Sequence, residues 1–164
     1  SHVEFRVAIQ IKKIKDMNIL NNIIADIKKT KKMPDVTNVK AKRTDWISLL
    51  KKSSIKNLLN KYLKDYVVYE IWGNIYKKED YVVEHDHINR SPNIYFNTCG
   101  VLFLTNTKTS LNFPNLSKKH LGKKGDLLLF KPNELHSVSK VLDKERITLS
   151  FNGRTKEDYE KQEK

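Results

Sequence analysis

The character of the chain changes at VVYEIWGNIY, residues 67–76, a run of β-branched and aromatic residues without a helical period. Further strand-like stretches follow it, separated by turn-prone segments such as KKGD at 123–126. They lie at residues 81–87, 98–105, 126–130, 137–142 and 146–152. Many short strands at close spacing predict a β-sandwich or barrel rather than alternating βαβ units.

Upstream of this run the pattern is mostly helical. Alternating apolar and polar residues predict one strand over 3–11, after which apolar residues recur at spacings of three and four between 17 and 27. Capping residues at Thr44-Asp45 and Ser53-Ser54 predict two more short helices. We therefore expect an opening strand, helices over 16–65 and a β-rich second half.

The chain of 164 residues has the length of one domain with a continuous core, expected over 1–153. A charged tail follows over 154–164 and is either a solvated helix or disordered. The single cysteine, Cys99, cannot form an intramolecular disulfide, which favours an intracellular location. No apolar run approaches the roughly 20 residues of a transmembrane helix, so no membrane span is expected.

The chain is strongly basic, with 32 Lys and Arg against 19 Asp and Glu and a net charge of +13. Such a charge would attract nucleic acid or an acidic protein. Most of the excess is lysine spread through KK pairs, which is also the pattern of a generally solvated surface. We include His120, in the lysine-rich stretch SKKH at 117–120, in that surface.

A candidate metal site begins at EHDH, residues 84–87. Successive side chains of a strand point to opposite faces, so His85 and His87 share one face and Asp86 lies on the other. His85 and His87 can therefore converge on one ion, and His136 from a later strand would complete a three-residue facial set. An isolated histidine in a strand is more often a surface or core residue, but the combination favours a metal site.

The stretch RITLSFN, residues 146–152, adds a second feature, because it places Arg146, Thr148 and Ser150 on one strand face. A buried arginine needs a partner. The remote carboxylate of a dicarboxylic acid would bind its guanidinium through two hydrogen bonds, with the Thr148 hydroxyl adding a third. The alternative is a surface arginine that pairs with Asp143 or Glu145.

Together these motifs resemble the double-stranded β-helix 2-oxoglutarate oxygenases, specifically a small group common in bacteriophages and marine bacteria. The resemblance is to prolyl-hydroxylase-like members and lies along the second half of the chain. Its motifs are IWGNIY at 71–76, HDH at 85–87, KGDLLLFKP at 124–132, LHSV at 135–138 and ERITLSFN at 145–152. The resemblance implies an α+β fold in which N-terminal helices support the larger sheet of a jelly-roll, cupin-like barrel with the metal at its open end.

The resemblance also implies that the three histidines hold Fe(II). The usual pattern of the superfamily is His-x-Asp followed by a distal His, whereas the second position here is His87. Asp86 lies one residue out of register, and a strand bulge could bring it inward, so it is the alternative second ligand. Three neutral imidazoles also resemble the thiol dioxygenases, which use no keto acid, but the presence of Arg146 favours the keto acid.

The implied co-substrates are 2-oxoglutarate and O2, with Arg146 and Thr148 binding the far carboxylate of 2-oxoglutarate. Two further residues, Asn74 and Tyr76 on the strand before the histidines, are candidates to contact the same molecule. By analogy with prolyl hydroxylases, the expected reaction is hydroxylation of a C–H bond in a protein or peptide. It would take place in the cytoplasm of a host cell if the protein is phage-encoded.

Substrate specificity is expected in the loop over 87–95, which leaves the metal-binding strand. Two alternatives stay open at this stage. One is an oxygenase that acts on nucleic acid, which the basic charge would favour. The other is a cupin-like metal-binding module without 2-oxoglutarate turnover.

Overall fold

The structure is a computed structural model and describes residues 7–36, 38–88 and 95–163. The first part of the predicted opening strand and residues 89–94 of the predicted specificity loop lie outside the described residues. The strands in the described part are β1 (Ile9–Lys13), β2 (Val39–Lys40), β3 (Lys42–Arg43), β4 (Tyr66–Lys77), β5 (Tyr81–His85), β6 (Thr98–Phe103), β7 (Leu111–Phe113), β8 (Lys118–His120), β9 (Asp126–Phe130), β10 (His136–Val138) and β11 (Glu145–Thr155). The α-helices are α1 (Met17–Lys29), α2 (Ser53–Tyr62) and α3 (Lys156–Glu163), and short 3-10 helices lie at Ser48–Lys51 and Pro114–Leu116.

The strands form two antiparallel sheets. The larger sheet has the order β1-β9-β6-β11-β4-β3 and the smaller sheet has the order β2-β5-β10-β7-β8. Apart from the consecutive pairs β3–β4 and β7–β8, neighbours within each sheet come from distant parts of the sequence, as in a jelly roll. The predicted α+β class and double-stranded β-helix are confirmed.

The N-terminal helices cover the outer face of the larger sheet. Helix α1 begins where the Asp16 carboxylate accepts a hydrogen bond from the Ile19 backbone N–H at 3.1 Å, which satisfies a free amide of the first turn. Its apolar stripe, with α2 and the strand faces below it, forms one core, and each fully buried Leu or Ile contributes roughly 1.5–3 kcal/mol relative to exposure. Central members are Leu20, Ile23, Ile27, Leu49, Leu58, Leu149 and Phe151.

A second core lies between the two sheets. The rings of Phe113, from the smaller sheet, and Phe130, from the larger sheet, meet edge to face at 5.1 Å between centroids. Val101, Phe103, Leu128 and Val138 surround them. This apolar cluster fills part of the space between the sheets, and polar side chains line a cavity beside it.

The long pair β4 and β11 determines which side chains point into that cavity. Its antiparallel register places partners opposite each other at Tyr76 and Arg146, Asn74 and Thr148, Trp72 and Ser150, and Glu70 and Asn152. These residues alternate along both strands, so all eight lie on the same sheet face, the inner one. The predicted grouping of Arg146 with Thr148 and of Asn74 with Tyr76 is therefore present.

Several element boundaries differ from the predictions. The segment predicted as a helix after Thr44-Asp45 is only a 3-10 turn, because the Asp45 carboxylate accepts hydrogen bonds from the backbone N–H groups of Ile47 and Ser48 and fixes a tight turn instead. Strand β5 ends at His85, so His87 lies beyond the strand that was predicted to carry it. The charged tail is the helix α3, and β11 runs to Thr155. No helix in the described part of the chain is long and apolar enough to cross a membrane.

The turn before β9 offers a test of this packing. Gly125 has φ +97°, a conformation that side chains disfavour, and a Cβ there would lie 2.3 Å from the Ile14 carbonyl oxygen. Gly125→Ala should therefore lower the free energy of unfolding by about 1–3 kcal/mol. Urea unfolding measures this, with Lys123→Ala, an exposed position in the same turn, as the control with little effect. Equal stability of the two variants would contradict the assignment of strain to Gly125.

Candidate functional site

Three histidines meet at the open end of the barrel. His85 ends β5 and lies opposite His136, the first residue of β10, in the antiparallel register. His87 lies two residues past the strand, where its backbone N–H donates to the Pro132 carbonyl at 2.7 Å. One potential ligand atom from each histidine lies within 4.8 Å of the others, and the Nε2 atoms of His85 and His87 are 3.3 Å apart.

In each ring, Nδ1 is the nitrogen that faces away from the cluster, and it forms a hydrogen bond with an oxygen. His85 Nδ1 lies 2.8 Å from the Val83 carbonyl and His136 Nδ1 lies 2.9 Å from the Glu134 carbonyl. His87 Nδ1 lies 2.8 Å from Asn152 Oδ1. Carbonyl oxygens only accept hydrogen bonds, so each Nδ1 carries the proton and each Nε2 keeps its lone pair for the cluster. This is the support that metal-binding histidines usually have.

The intervening carboxylate does not join the cluster. Asp86 Oδ1 accepts a hydrogen bond from the Ile88 backbone N–H at 3.2 Å on the exposed side of the segment. The geometry therefore brings together His85, His87 and His136, the predicted set, and leaves out Asp86, the alternative.

Burial keeps the three imidazoles neutral. Desolvation is the main cause that lowers the pKa of His85, that of His87 to about 4 and that of His136 to about 3. The neighbouring imidazoles further lower the pKa of His136. Neutral imidazole nitrogens bind Zn, Cu, Fe and Ni, so the cluster has the chemistry of a transition-metal site.

Arg146 lies inside the barrel and is only 1% exposed. Its guanidinium carbon is 4.7 Å from the centroid of the Tyr76 ring and 5.4 Å from that of Phe103. Among the described residues, its Nε and Nη2 have no hydrogen-bond partner. Desolvation is the main effect on this guanidinium and lowers its pKa, whereas interactions with Tyr76 and the charge of Asp143 act to raise it.

The alternative of a surface ion pair for Arg146 is not observed. Glu145 Oε1 pairs with Lys28 Nζ at 3.3 Å. Asp143 Oδ1 accepts from the Lys108 backbone N–H at 2.7 Å, and its effect on Arg146 is a charge interaction without a hydrogen bond. Among the described residues, the guanidinium therefore has no hydrogen-bonded carboxylate.

Asn74 and Thr148 lie between Arg146 and the histidines. Asn74 Nδ2 donates to Thr148 Oγ1 and to Ser150 Oγ, both at 3.1 Å, so the two hydroxyls are ordered by one amide. Ser150, which strand alternation predicted on the same face as Arg146 and Thr148, is an additional residue of the site. Arg43 also lines the space, but it lies in a two-residue strand, β3, that no sequence pattern distinguishes.

These residues line one cavity with about 520 Å³ of empty space, part of which opens to solvent. The histidines lie at one end and Arg146 at the other, with the polar faces of β4 and β11 between them. The lining includes Arg43, Trp72, Asn74, Tyr76, His85, His87, His136, Arg146, Thr148 and Ser150.

A second, more open cavity adjoins the histidines on the outer side. Its wall includes three aromatic side chains, the exposed Trp46 and the buried Trp72 and Phe96, together with the cation Arg43. The exposed Ile88 adds apolar surface at its edge, and Glu70 supplies a carboxylate. Trp46 is held next to β4 because its carbonyl accepts a hydrogen bond from the Ile71 backbone N–H at 2.8 Å.

The interpretation of His120 as a surface residue is wrong. Its Nε2 lies 3.0 Å from Asp126 Oδ2, its side chain is 15% exposed, and its ring packs against Phe103. Lys13 pairs with the other oxygen of Asp126. His120 therefore supports the turn before β9, away from the histidine cluster, and its place in a lysine-rich stretch gave no signal of this contact.

Comparisons with known proteins place this geometry in context. No protein-family model and no curated protein matches the sequence. The viral collagen prolyl hydroxylase vCPH from Paramecium Bursaria Chlorella virus-1, solved as a 2-oxoglutarate complex, aligns with a TM-score of 0.68 and 17% identity over 88% of this chain and 94% of its own.

Two further structures are similar. HygX from Streptomyces hygroscopicus, with nickel and 2-oxoglutarate bound, has a TM-score of 0.67 and 9% identity over 93% of this chain and 84% of its own. A prolyl hydroxylase from Trichoplax adhaerens, in complex with a peptide fragment of hypoxia inducible factor, has a TM-score of 0.64 and 11% identity over 95% and 88%. The chain has the fold of the 2-oxoglutarate oxygenases.

The lowered histidine pKa values predict how the stability of the metal-free protein depends on pH. As the pH falls from 6.5 towards 4, the unfolded chain takes up protons that folded His87 and His136 do not, so the free energy of unfolding should decrease. His136→Gln removes one of these groups and should reduce the slope in that window. Urea unfolding with a chelator present measures both slopes, and identical slopes would contradict the buried, neutral state of His136.

Proposed function

We propose that the protein is an Fe(II)- and 2-oxoglutarate-dependent dioxygenase that hydroxylates a C–H bond of a protein or peptide. The observation that carries this proposal is the buried guanidinium of Arg146, which faces a cavity shared with three converging imidazoles. A metal site alone would not require such an arginine. A dicarboxylic co-substrate that also binds the metal would.

The free atoms of Arg146 fit a carboxylate. Nε and Nη2 lie along one edge of the guanidinium, and this edge binds a carboxylate through two parallel hydrogen bonds. The rings of Tyr76 and Phe103 exclude water from the cation, so a carboxylate there would be attracted more strongly than in solvent. The Thr148 hydroxyl lies on the same strand face, two residues towards the histidines.

The histidine cluster fits Fe(II), because three neutral nitrogen ligands on one side leave the opposite side open for co-substrates. Bound iron, 2-oxoglutarate and O2 would supply the oxidising chemistry. The protein's own residues bind and orient these groups. Because all three ligands are neutral, the two negative charges of 2-oxoglutarate would be balanced by the metal and by Arg146.

The outer cavity supports a protein or peptide substrate. It adjoins His85 and His87 and presents Trp46, Trp72 and Ile88, the large apolar side chains that commonly anchor peptides. The similar Trichoplax adhaerens prolyl hydroxylase was solved with a peptide fragment bound. An extended chain lying across Trp46 would bring one of its residues next to the histidines.

The co-substrate site can be tested with Arg146→Gln, which removes the positive charge and keeps a polar side chain. The dissociation constant of 2-oxoglutarate should rise about 10- to 100-fold, because hydrogen bonds to charged groups contribute about 1.5–3 kcal/mol. The visible charge-transfer band that Fe(II) and 2-oxoglutarate form together under anaerobic conditions reports binding. Arg146→Lys keeps the charge and loses the paired N–H donors of the guanidinium, so its dissociation constant for 2-oxoglutarate should be intermediate.

A keto acid without the far carboxylate distinguishes the loss of the contact between Arg146 and that carboxylate from a general disruption of the site. 2-Oxopentanoate has the same keto-acid end and lacks the far carboxylate, so its already weak binding should be the same in the wild type and Arg146→Gln. An equal loss of affinity for both compounds would contradict the assigned role of Arg146. Normal iron binding with no 2-oxoglutarate band in the wild type would favour a metal-binding module instead.

The substrate site can be tested with Trp46→Ala. Succinate release stimulated by a panel of proline-containing synthetic peptides should show KM raised about 10- to 30-fold, as for a large aromatic anchor, with 2-oxoglutarate affinity unchanged. Ile47→Ala is the control, since Ile47 is more exposed than Trp46 and does not line the cavity. Stimulation by single-stranded oligonucleotides and not by peptides would replace the peptide proposal with the nucleic-acid alternative.

A further inference from the structure

The three imidazoles of the histidine cluster are anchored in two different ways. His85 and His136 each bond through Nδ1 to a backbone carbonyl two residues earlier in their own segment. His87 instead bonds to the Asn152 side chain, which comes from β11 in the other sheet. Of the three anchors, only this one depends on a side chain.

We infer that Asn152 and Glu70 are positioning residues that fix the ring orientation and tautomer of His87, so that an imidazole can occupy the third metal-ligand position. The inference rests on the proposed function, because it assumes that the cluster binds a metal. Neither residue contributes an atom that would bind the metal. Both act through the outer nitrogen of His87.

The contacts form a chain of hydrogen bonds in which each donor group faces a defined acceptor. Glu70 and Asn152 lie opposite each other in the β4–β11 register, and Asn152 Nδ2 donates to Glu70 Oε1 at 3.2 Å. Asn152 Oδ1 lies 2.8 Å from His87 Nδ1 and 3.1 Å from the Cys99 sulfur. Burial raises the pKa of the Cys99 thiol, so this group remains a hydrogen-bond donor.

The carboxylate of Glu70, at one end of this chain, determines which group donates and which accepts in each hydrogen bond. A carboxylate accepts hydrogen bonds and cannot donate them, so Glu70 selects the amide orientation in which the NH2 group of Asn152 faces it. The amide oxygen must then face His87, and the His87 nitrogen next to it must carry a proton. The other nitrogen, Nε2, is left with its lone pair directed at His85 and the rest of the cluster.

The position of His87 explains why it needs this support. The segment after His85 has left β5, so no strand ladder fixes the side-chain direction of His87. Outside the histidine cluster, its other contacts among the described residues are the backbone bond to Pro132 and a tilted ring contact with Trp72 at 5.8 Å between centroids. Without the Asn152 oxygen, the ring could carry its proton on either nitrogen, and one of the two tautomers would block Nε2.

The inference can be tested by metal affinity and by tautomer state. In the metal-free wild type, long-range 1H–15N correlation NMR should show the His87 ring protonated at Nδ1, and Asn152→Leu should give a mixture of tautomers. Co(II) titration should show affinity about 10- to 100-fold weaker in Asn152→Leu, the usual loss when an outer partner of a metal-binding histidine is removed. Asn112→Leu, at a half-buried asparagine that bonds Ser139 in the smaller sheet, should leave both readouts unchanged.

A charge exchange gives a sharper test. Glu70→Gln alone removes the group that orients the amide, and Asn152→Asp alone places two carboxylates opposite each other, so each should weaken Co(II) binding. The double variant Glu70→Gln/Asn152→Asp restores the order of donors and acceptors, with an amide at position 70 donating to a carboxylate that accepts from His87. It should bind Co(II) at least 3-fold more tightly than either single variant, whereas residues with a merely structural role would give additive losses.

The outcomes separate this inference from the proposed function. If the wild type bound no Co(II), both would be overturned. If the wild type bound Co(II) and Asn152→Leu bound it equally well with an unchanged His87 tautomer, the inference alone would be overturned. Additive losses in the charge exchange would also overturn it and leave the metal site in place.

Discussion

The pairing of β4 with β11 is the constraint on which both the core and the candidate site depend. The register is continuous from Lys77 opposite Glu145 to a single irregularity after Asn152. The inner face of this pair carries the polar residues of the cavity, and the outer face carries Ile71, Ile75, Ile147, Leu149 and Phe151 against the helices. A slip of one residue would exchange the two faces, so the same register that buries the core also assembles the site.

The outer face also supports the unfavourable burial of Arg146 on the inner face. A buried cation without a hydrogen-bonded anion costs several kcal/mol, and the extensive apolar packing on the other side of the strands offsets this cost. Helix α1 approaches β4 closely enough that a Cβ at Gly73 would lie 2.5 Å from the Ile27 side chain. The helices therefore hold the two strands that carry the polar residues, and the candidate site is stabilised from the face opposite to it.

Long strands explain which site residues could be predicted from the sequence. Alternation in RITLSFN and in IWGNIY places Arg146, Thr148, Asn74 and Tyr76 correctly, because a period of two is reliable in strands of eleven and twelve residues. The hydrogen bond between Glu70 and Asn152 could not be predicted, because the sequence of neither strand determines the register between the two. His87 was placed by an alternation that does not apply past the end of β5. The contact of His120 with the buried Asp126 was missed for a different reason, because it is set by the turn between β8 and β9 and not by a repeating residue pattern.

The different anchors of the three histidines have a consequence for the order in which the site forms. Any chain that forms β5 and β10 provides the carbonyls for His85 and His136, because those bonds are local. The bond between His87 and Asn152 exists only after both sheets have come together. An imidazole suits this place because its two nitrogens reach in different directions, one to the amide of the larger sheet and one to the cluster, whereas a single carboxylate is shorter and less able to span both. The residue at position 87 and the residue at position 152 are therefore physically coupled, and a complete set of oriented histidines requires the closed barrel.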